Sequence, residues 1–149
     1  MLPPAVRASI GHASFRWINA VWVVVDRDCD TRTVGEWGRV CGASLGALRS
    51  ICVMQNVRPK PSLTFARVLR VVARQELRHI RDTLEVDDPR TLRTILAASG
   101  LADDDRRRPR SMGVDEFLRA QRIITEPACC EAVRLAVKMG GVARDAVRE

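Results

Sequence analysis

The chain is 149 residues long and contains no tyrosine, only three tryptophans and three phenylalanines, and only two histidines. Aromatic side chains therefore cannot dominate its interior. With Ala, Val, Leu and Arg as the main constituents, the composition favours helices packed through aliphatic side chains. The five cysteines, Cys29, Cys41, Cys52, Cys129 and Cys130, are odd in number and form no Cys-x-x-Cys pair. His12 and His79 are not spaced to complete a metal site with them, which argues against a disulfide framework and against a zinc finger. The vicinal pair Cys129-Cys130 reads as ordinary helix filling. No Gly-rich phosphate loop occurs, and neither histidine has a Ser or Cys beside it in a nucleophile motif. The expectation is a protein that is not an enzyme, with no catalytic residues, no metal and no cofactor. The run Asp103-Asp104-Asp105 reads as a solvated loop, since adjacent carboxylates in a polar stretch point apart.

Long apolar runs are also missing. The opening MLPPAVRASIGHA has no continuous apolar signal core, and the stretch 15–25 contains Arg16 and Asn19. It is shorter than the roughly 20 residues that cross a bilayer. No membrane partner is expected, and the location expected is the cytoplasm.

One further shortage is local. The formal net charge is +7, and all of the excess lies in residues 1–82, where 13 Lys or Arg face 6 Asp or Glu. Residues 83–149 hold 12 of each sign. Between Glu36 and Asp82 the only acid is Glu76, against nine basic residues. A positive surface of this kind gains by releasing counterions from a polyanion, so double-stranded DNA is the natural partner. An Arg-rich proteome would explain Arg in place of Lys, but not why acids avoid this segment. Charge divides the chain into a flexible N-terminal arm (1–12), a basic region (13–82) and a neutral helical region (83–149) suited to dimerisation or partner contact.

Periodicity predicts an all-α fold. Ile18, Val21, Trp22 and Val25 make one apolar stripe on a helix that starts near Ser14. Thr33 followed by Glu36 has the form of a capping box for a short helix bearing Val34, Trp37, Val40 and Cys41 inward. Gly42 ends that helix and Ser44 caps the next, with Leu48, Ile51 and Cys52 inward. Pro59 and Pro61 predict a turn, and Ser62 a cap for one long helix running to about Val86. Asp88-Pro89 predicts another start and Gly100 its stop. A helix from about Val114 presents Phe117, Leu118, Gln121 and Ile124, and Pro127 opens a last one whose tail frays from Gly140.

The stretch EWGRVCGASLGALRSI, residues 36–51, breaks and restarts a helix within three residues. Two short helices that cross steeply need a small residue at their contact, a glycine in the turn, and apolar residues in the wedge. Gly38, Gly42, and the set Trp37, Cys41, Ala43, Leu48 and Ile51 supply them. Such an arrangement is a helix-turn-helix, whose second helix stands proud to enter the major groove. Glycine at position 38 costs some helix stability relative to alanine. Over residues 33–73 the chain resembles one helix-turn-helix half of the AraC-type bacterial transcription regulators. That resemblance implies a helix-turn-helix core followed by a long linker helix carrying Arg and apolar residues. AraC-type domains contain two such halves. The region from Asp88 to Leu101 reads as structural rather than as the second half, because the acids after Gly100 would repel phosphate; whether residues 88–124 form a second DNA-binding half is left open by the sequence.

On this basis the base-contacting positions are Ser44, Leu45, Gly46, Arg49 and Ser50, with Arg49 placed for bidentate contact to guanine and Leu45 for a thymine methyl. Phosphate contacts are assigned to Arg32, Thr33, Arg39, Arg58, Lys60, Arg67 and Arg70. The function expected is a DNA-binding transcription regulator, paired as a homodimer or joined to a protein partner through its C-terminal half. The competing expectation is an all-helical interaction adaptor whose basic face meets an acidic protein without specific DNA binding.

Overall fold

Nine α-helices and no strand make up the regular structure of the described residues. The computed structural model describes residues 2, 4–101 and 111–148, with backbone alone at positions 9 and 141–148. In chain order the helices are α1 (Pro4–Ser9), α2 (His12–Val25), α3 (Val34–Cys41), α4 (Leu45–Met54), α5 (Pro59–Ala73), α6 (Ile80–Thr83, entered through a 3-10 turn at Leu77–His79), α7 (Pro89–Ala98), α8 (Val114–Ala120) and α9 (Pro127–Arg148). The all-α class expected from periodicity is observed. The segment 102–110, which contains Asp103-Asp104-Asp105, lies outside the described residues.

Local signals set most helix ends. The Thr33 hydroxyl accepts from the Glu36 N–H at 3.0 Å, Ser44 from the Ala47 N–H at 3.1 Å, and Asp88 from the Arg90 N–H at 3.1 Å. These side chains satisfy backbone donors that have no partner inside the helix. Gly42 adopts φ 65°, and two bonds close the end of α3: Ala43 N–H to Gly38 O at 2.9 Å and Gly42 N–H to Arg39 O at 3.0 Å. This paired pattern is the Schellman closure.

The same closure ends α5, but there the left-handed residue is Gln75, at φ 57°. Glu76 N–H bonds Val71 O at 3.0 Å and Gln75 N–H bonds Val72 O at 3.1 Å. The single helix expected from Ser62 to about Val86 is therefore two pieces. It also begins earlier, because Pro59 and Pro61 occupy the first turn, where a missing N–H leaves no helical bond unmade. A β-carbon in the left-handed region costs about 1–2 kcal/mol. Gln75→Gly is accordingly expected to stabilise the protein by about 1 kcal/mol after the extra chain entropy of glycine is counted. A shift of the urea midpoint to higher concentration at constant slope checks this.

Two further departures lie outside α5. The N-terminal segment expected as a loose arm contains α1, with Leu2 and Val6 buried against the core. Helix α1 packs on α2 and α9. Gln121 falls just past α8 rather than on its face. Its buried amide donates to Leu118 O and Ile124 O, at 3.0 and 2.7 Å, and accepts from the N–H groups of Ile123 and Ile124, at 2.8 and 3.0 Å. One side chain thus satisfies the backbone of the α8–α9 link.

One buried core joins described residues from Leu2 to Ala136. Trp17 of α2, Phe65 of α5 and Phe117 of α8 pack in series, with successive ring centroids 5.6 Å apart. The Trp17 indole N–H donates to Ser62 Oγ at 3.1 Å, and that of Trp37 to Ala20 O at 2.9 Å. Leu92, Leu96, Phe117, Val133 and Ala136 belong to the same buried cluster as Trp17, Val21 and Leu69. The change of charge near Asp82 is therefore not a boundary of packing. No described helix is long and apolar enough to cross a membrane.

Candidate nucleic-acid interface

Helix α4 has two faces. Leu48 and Cys52 are fully buried, with Ile51 half-buried beside them. Opposite them lie two exposed rows, each with a four-residue step: Leu45, Arg49, Val53 and Gly46, Ser50, Met54. All five positions expected to face a base are exposed, including Ser44, whose hydroxyl also caps the helix. Val53, at 72% exposure, and Met54, at 54%, extend the face toward its C-terminal end. Sequence reasoning passed over these two because an apolar residue on a helix is ordinarily assigned to the core.

Helices α3 and α4 meet closely across the link Gly42-Ala43-Ser44. A β-carbon at Gly38 would stand 3.1 Å from Ala43 O and 4.0 Å from Leu48 Cδ2. The small residue at this position is what allows the approach. Indole Nε1 of Trp37 ties α3 to α2, and burial of Trp37 and Leu48 fixes the pair of helices on the core.

The basic residues divide into two groups. Arg32, Arg39, Arg49, Arg58 and Lys60 are exposed, as is Thr33 at the start of α3. Arg49, Arg58 and Lys60 share one cleft of about 580 Å³ with Val34, Gly35, Leu45, Pro59 and Pro61. No acidic residue is among the described residues that line it. Arg32 and Arg39 lie on the α3 side and do not line the cleft. Glu36 of α3 accepts from the Arg32 N–H at 3.1 Å and from Arg27 Nη1 at 3.3 Å. Those bonds hold its pKa below the usual carboxylate value, the Arg32 backbone N–H contributing most.

Arg67 and Arg70 are not available to phosphate, contrary to the sequence expectation. They are 8% and 3% exposed. Arg67 grips the buried Asp30 carboxylate through Nε, at 3.1 Å to both oxygens, and through Nη2 at 2.7 Å, and also donates to Leu84 O at 3.3 Å. Arg70 donates to Arg27 O at 2.8 Å, Asp28 O at 2.6 Å and Thr83 O at 3.4 Å. Burial pushes its pKa down, with the neighbouring Arg74 charge acting in the same direction. Arg74 donates to Arg27 O at 2.6 Å and pairs with Asp28 at 3.6 Å. One face of α5 thus fastens the loop between α2 and α3, and with it the start of α3. The cost of burying two guanidinium groups is met by a carboxylate and by backbone carbonyls.

The cysteines are all unpaired thiols. Burial pushes Cys41 up to about 11 and Cys129 up to about 12, so both are neutral and act as small apolar fillers near neutral pH.

Comparison with protein-family models, with curated proteins and with solved structures returned no match to this chain.

Proposed function

We propose that the protein is a DNA-binding transcription regulator that lays α4 in the major groove through an AraC-like helix-turn-helix formed by α3 and α4. The observation that carries this reading is the outward face of α4, exposed along its length, which bears Arg49 and is flanked by Arg58 and Lys60, with no described acidic residue lining their cleft. Arg49 is the residue for bidentate contact with guanine, and Leu45 for a thymine methyl. Ser44, Gly46 and Ser50 bring short side chains and bare backbone close to base edges. Arg32, Arg39, Arg58 and Lys60, with Thr33 at the positive end of α3, serve the phosphates. A single reading helix calls for two-fold pairing, and the neutral C-terminal half is the surface for a second copy or a protein partner. Such a regulator works in the cytoplasm.

Binding to mixed-sequence duplex DNA, followed against salt, tests this reading. Four exposed cations on phosphates give a slope of log affinity against log salt of about −3.6. Lys60→Ala is expected to flatten that slope by about 1 without changing sequence preference. Arg49→Ala is expected to remove about 1–3 kcal/mol of discrimination at one base pair, and much less of the non-specific affinity. Absence of duplex binding at low salt overturns the proposal. Exposure of Val53 and Met54 favours a second reading, an all-helical adaptor that meets an acidic protein through this face; duplex binding would then be weak and indifferent to Arg49.

A further inference from the structure

We propose that the cleft between α3, α4 and the first turn of α5 is a binding site for a small aromatic carboxylate. Its walls are apolar: Val34 opens α3, Leu45 opens α4, and Pro59 and Pro61 lie in the first turn of α5. Three cations, Arg49, Arg58 and Lys60, line the same space, and no described acidic residue does. The volume, about 580 Å³, is within the range of about 300–1,000 Å³ typical of small-molecule clefts.

These two kinds of lining select the ligand together. A bare carboxylate would satisfy the cations and leave the apolar walls wet. A neutral arene would cover the walls and leave three positive charges without a counter-charge. A planar ring bearing a carboxylate covers the walls and brings negative charge to the cations. Arginine suits such a ligand doubly, because its planar fork takes a carboxylate through two parallel bonds and also stacks on an aromatic face. The site is preorganised. Proline fixes the backbone of the α5 turn, Ser62 Oγ in the next residue is held by Arg58 O at 2.7 Å and by the Trp17 indole, and α4 is pinned by Leu48 and Cys52. Leu45 and Arg49 also belong to the face assigned to DNA, so an occupied cleft and a docked duplex exclude one another. Ligand binding itself does not depend on the DNA reading, and its test uses no DNA.

The test is a titration of the full chain, followed by amide resonances, with 2-naphthoate, with its neutral counterpart 2-naphthylmethanol, and with acetate. Saturable shifts are expected at Val34, Gly35, Leu45, Arg49 and Lys60, with 2-naphthoate bound at least about tenfold more tightly than either of the other probes. Leu45→Glu puts a carboxylate at an exposed position in the cleft, and Arg58→Ala with Lys60→Ala removes two of its cations. Each is expected to weaken 2-naphthoate by about tenfold or more while leaving the helical circular dichroism unchanged. Arg93→Ala, at an exposed position on α7, is expected to leave it unchanged. Equal binding of the alcohol, shifts centred away from these residues, no saturable binding, or indifference to Leu45→Glu overturns the proposal.

Discussion

Replacing Asp30 by alanine is expected to lower the unfolding free energy by about 3–5 kcal/mol, because it strands a buried guanidinium. The Asp30 side chain is fully buried and that of Arg67 is 10% exposed. Their bidentate contact spans 37 positions of sequence. The remaining bond of Arg67, to Leu84 O at 3.3 Å, cannot supply a counter-charge. Loss of the pair also loosens the loop that leads into α3, so the helix pair next to the candidate interface is expected to exchange its amide protons faster. The penalty belongs to the orphaned charge rather than to the worth of the pair. Asp30→Ala combined with Arg67→Met, which removes both charges, is therefore expected to recover a large part of the loss. Urea unfolding of the three forms checks this. A loss below about 1 kcal/mol for Asp30→Ala would place the pair in the class of solvated surface ion pairs.

Gly100→Ala is expected to destabilise the protein by about 2–5 kcal/mol, from a left-handed backbone and an overpacked contact acting together. Gly100 ends α7 at φ 73°, and a β-carbon there would stand 2.1 Å from Ala120 O and 2.7 Å from Ala120 C. Those atoms are backbone at the end of α8, so relief requires the two helices to move apart. Leu101, buried, and the Phe117 side chain, fully buried, would move with them. Gly42 provides the control. Its φ is 65°, yet a β-carbon there meets nothing within 4 Å. Gly42→Ala is expected to lose only about 1–2 kcal/mol, the backbone term alone. Equal losses for the two variants in thermal or urea unfolding would show that the close approach of Gly100 to Ala120 does not contribute.

Capping and helix stops were legible because they are written within a few residues. Thr33, Ser44 and Asp88 act on N–H groups two or three positions away, and Gly42 and Gly100 are left-handed where glycine is the least costly residue. The inward faces of α2, α3 and α4 followed from spacing for the same reason. The break after α5 was not legible. Its apolar stripe continues in step through Leu77, Ile80 and Leu84, and the left-handed residue is a glutamine. What stabilises the fold-back is distant: Arg67 and Arg70 bind the carbonyls of Leu84 and Thr83.

The candidate interface divides along the same line. By itself the sequence determined an all-α chain, the three-residue link between α3 and α4, the outward positions 44–46, 49 and 50, and a segment short of acids. Each of these depends on neighbours one or two helical turns apart. Only the tertiary structure decided which arginines face water. Arg67, Arg70 and Arg74 look identical in sequence to Arg49 and Arg58, but the first three find a carboxylate and backbone carbonyls on a loop about forty positions earlier, and the last two line an open cleft. A guanidinium is buried or exposed according to the partners that packing brings to it, and that choice is made by contacts no local pattern encodes.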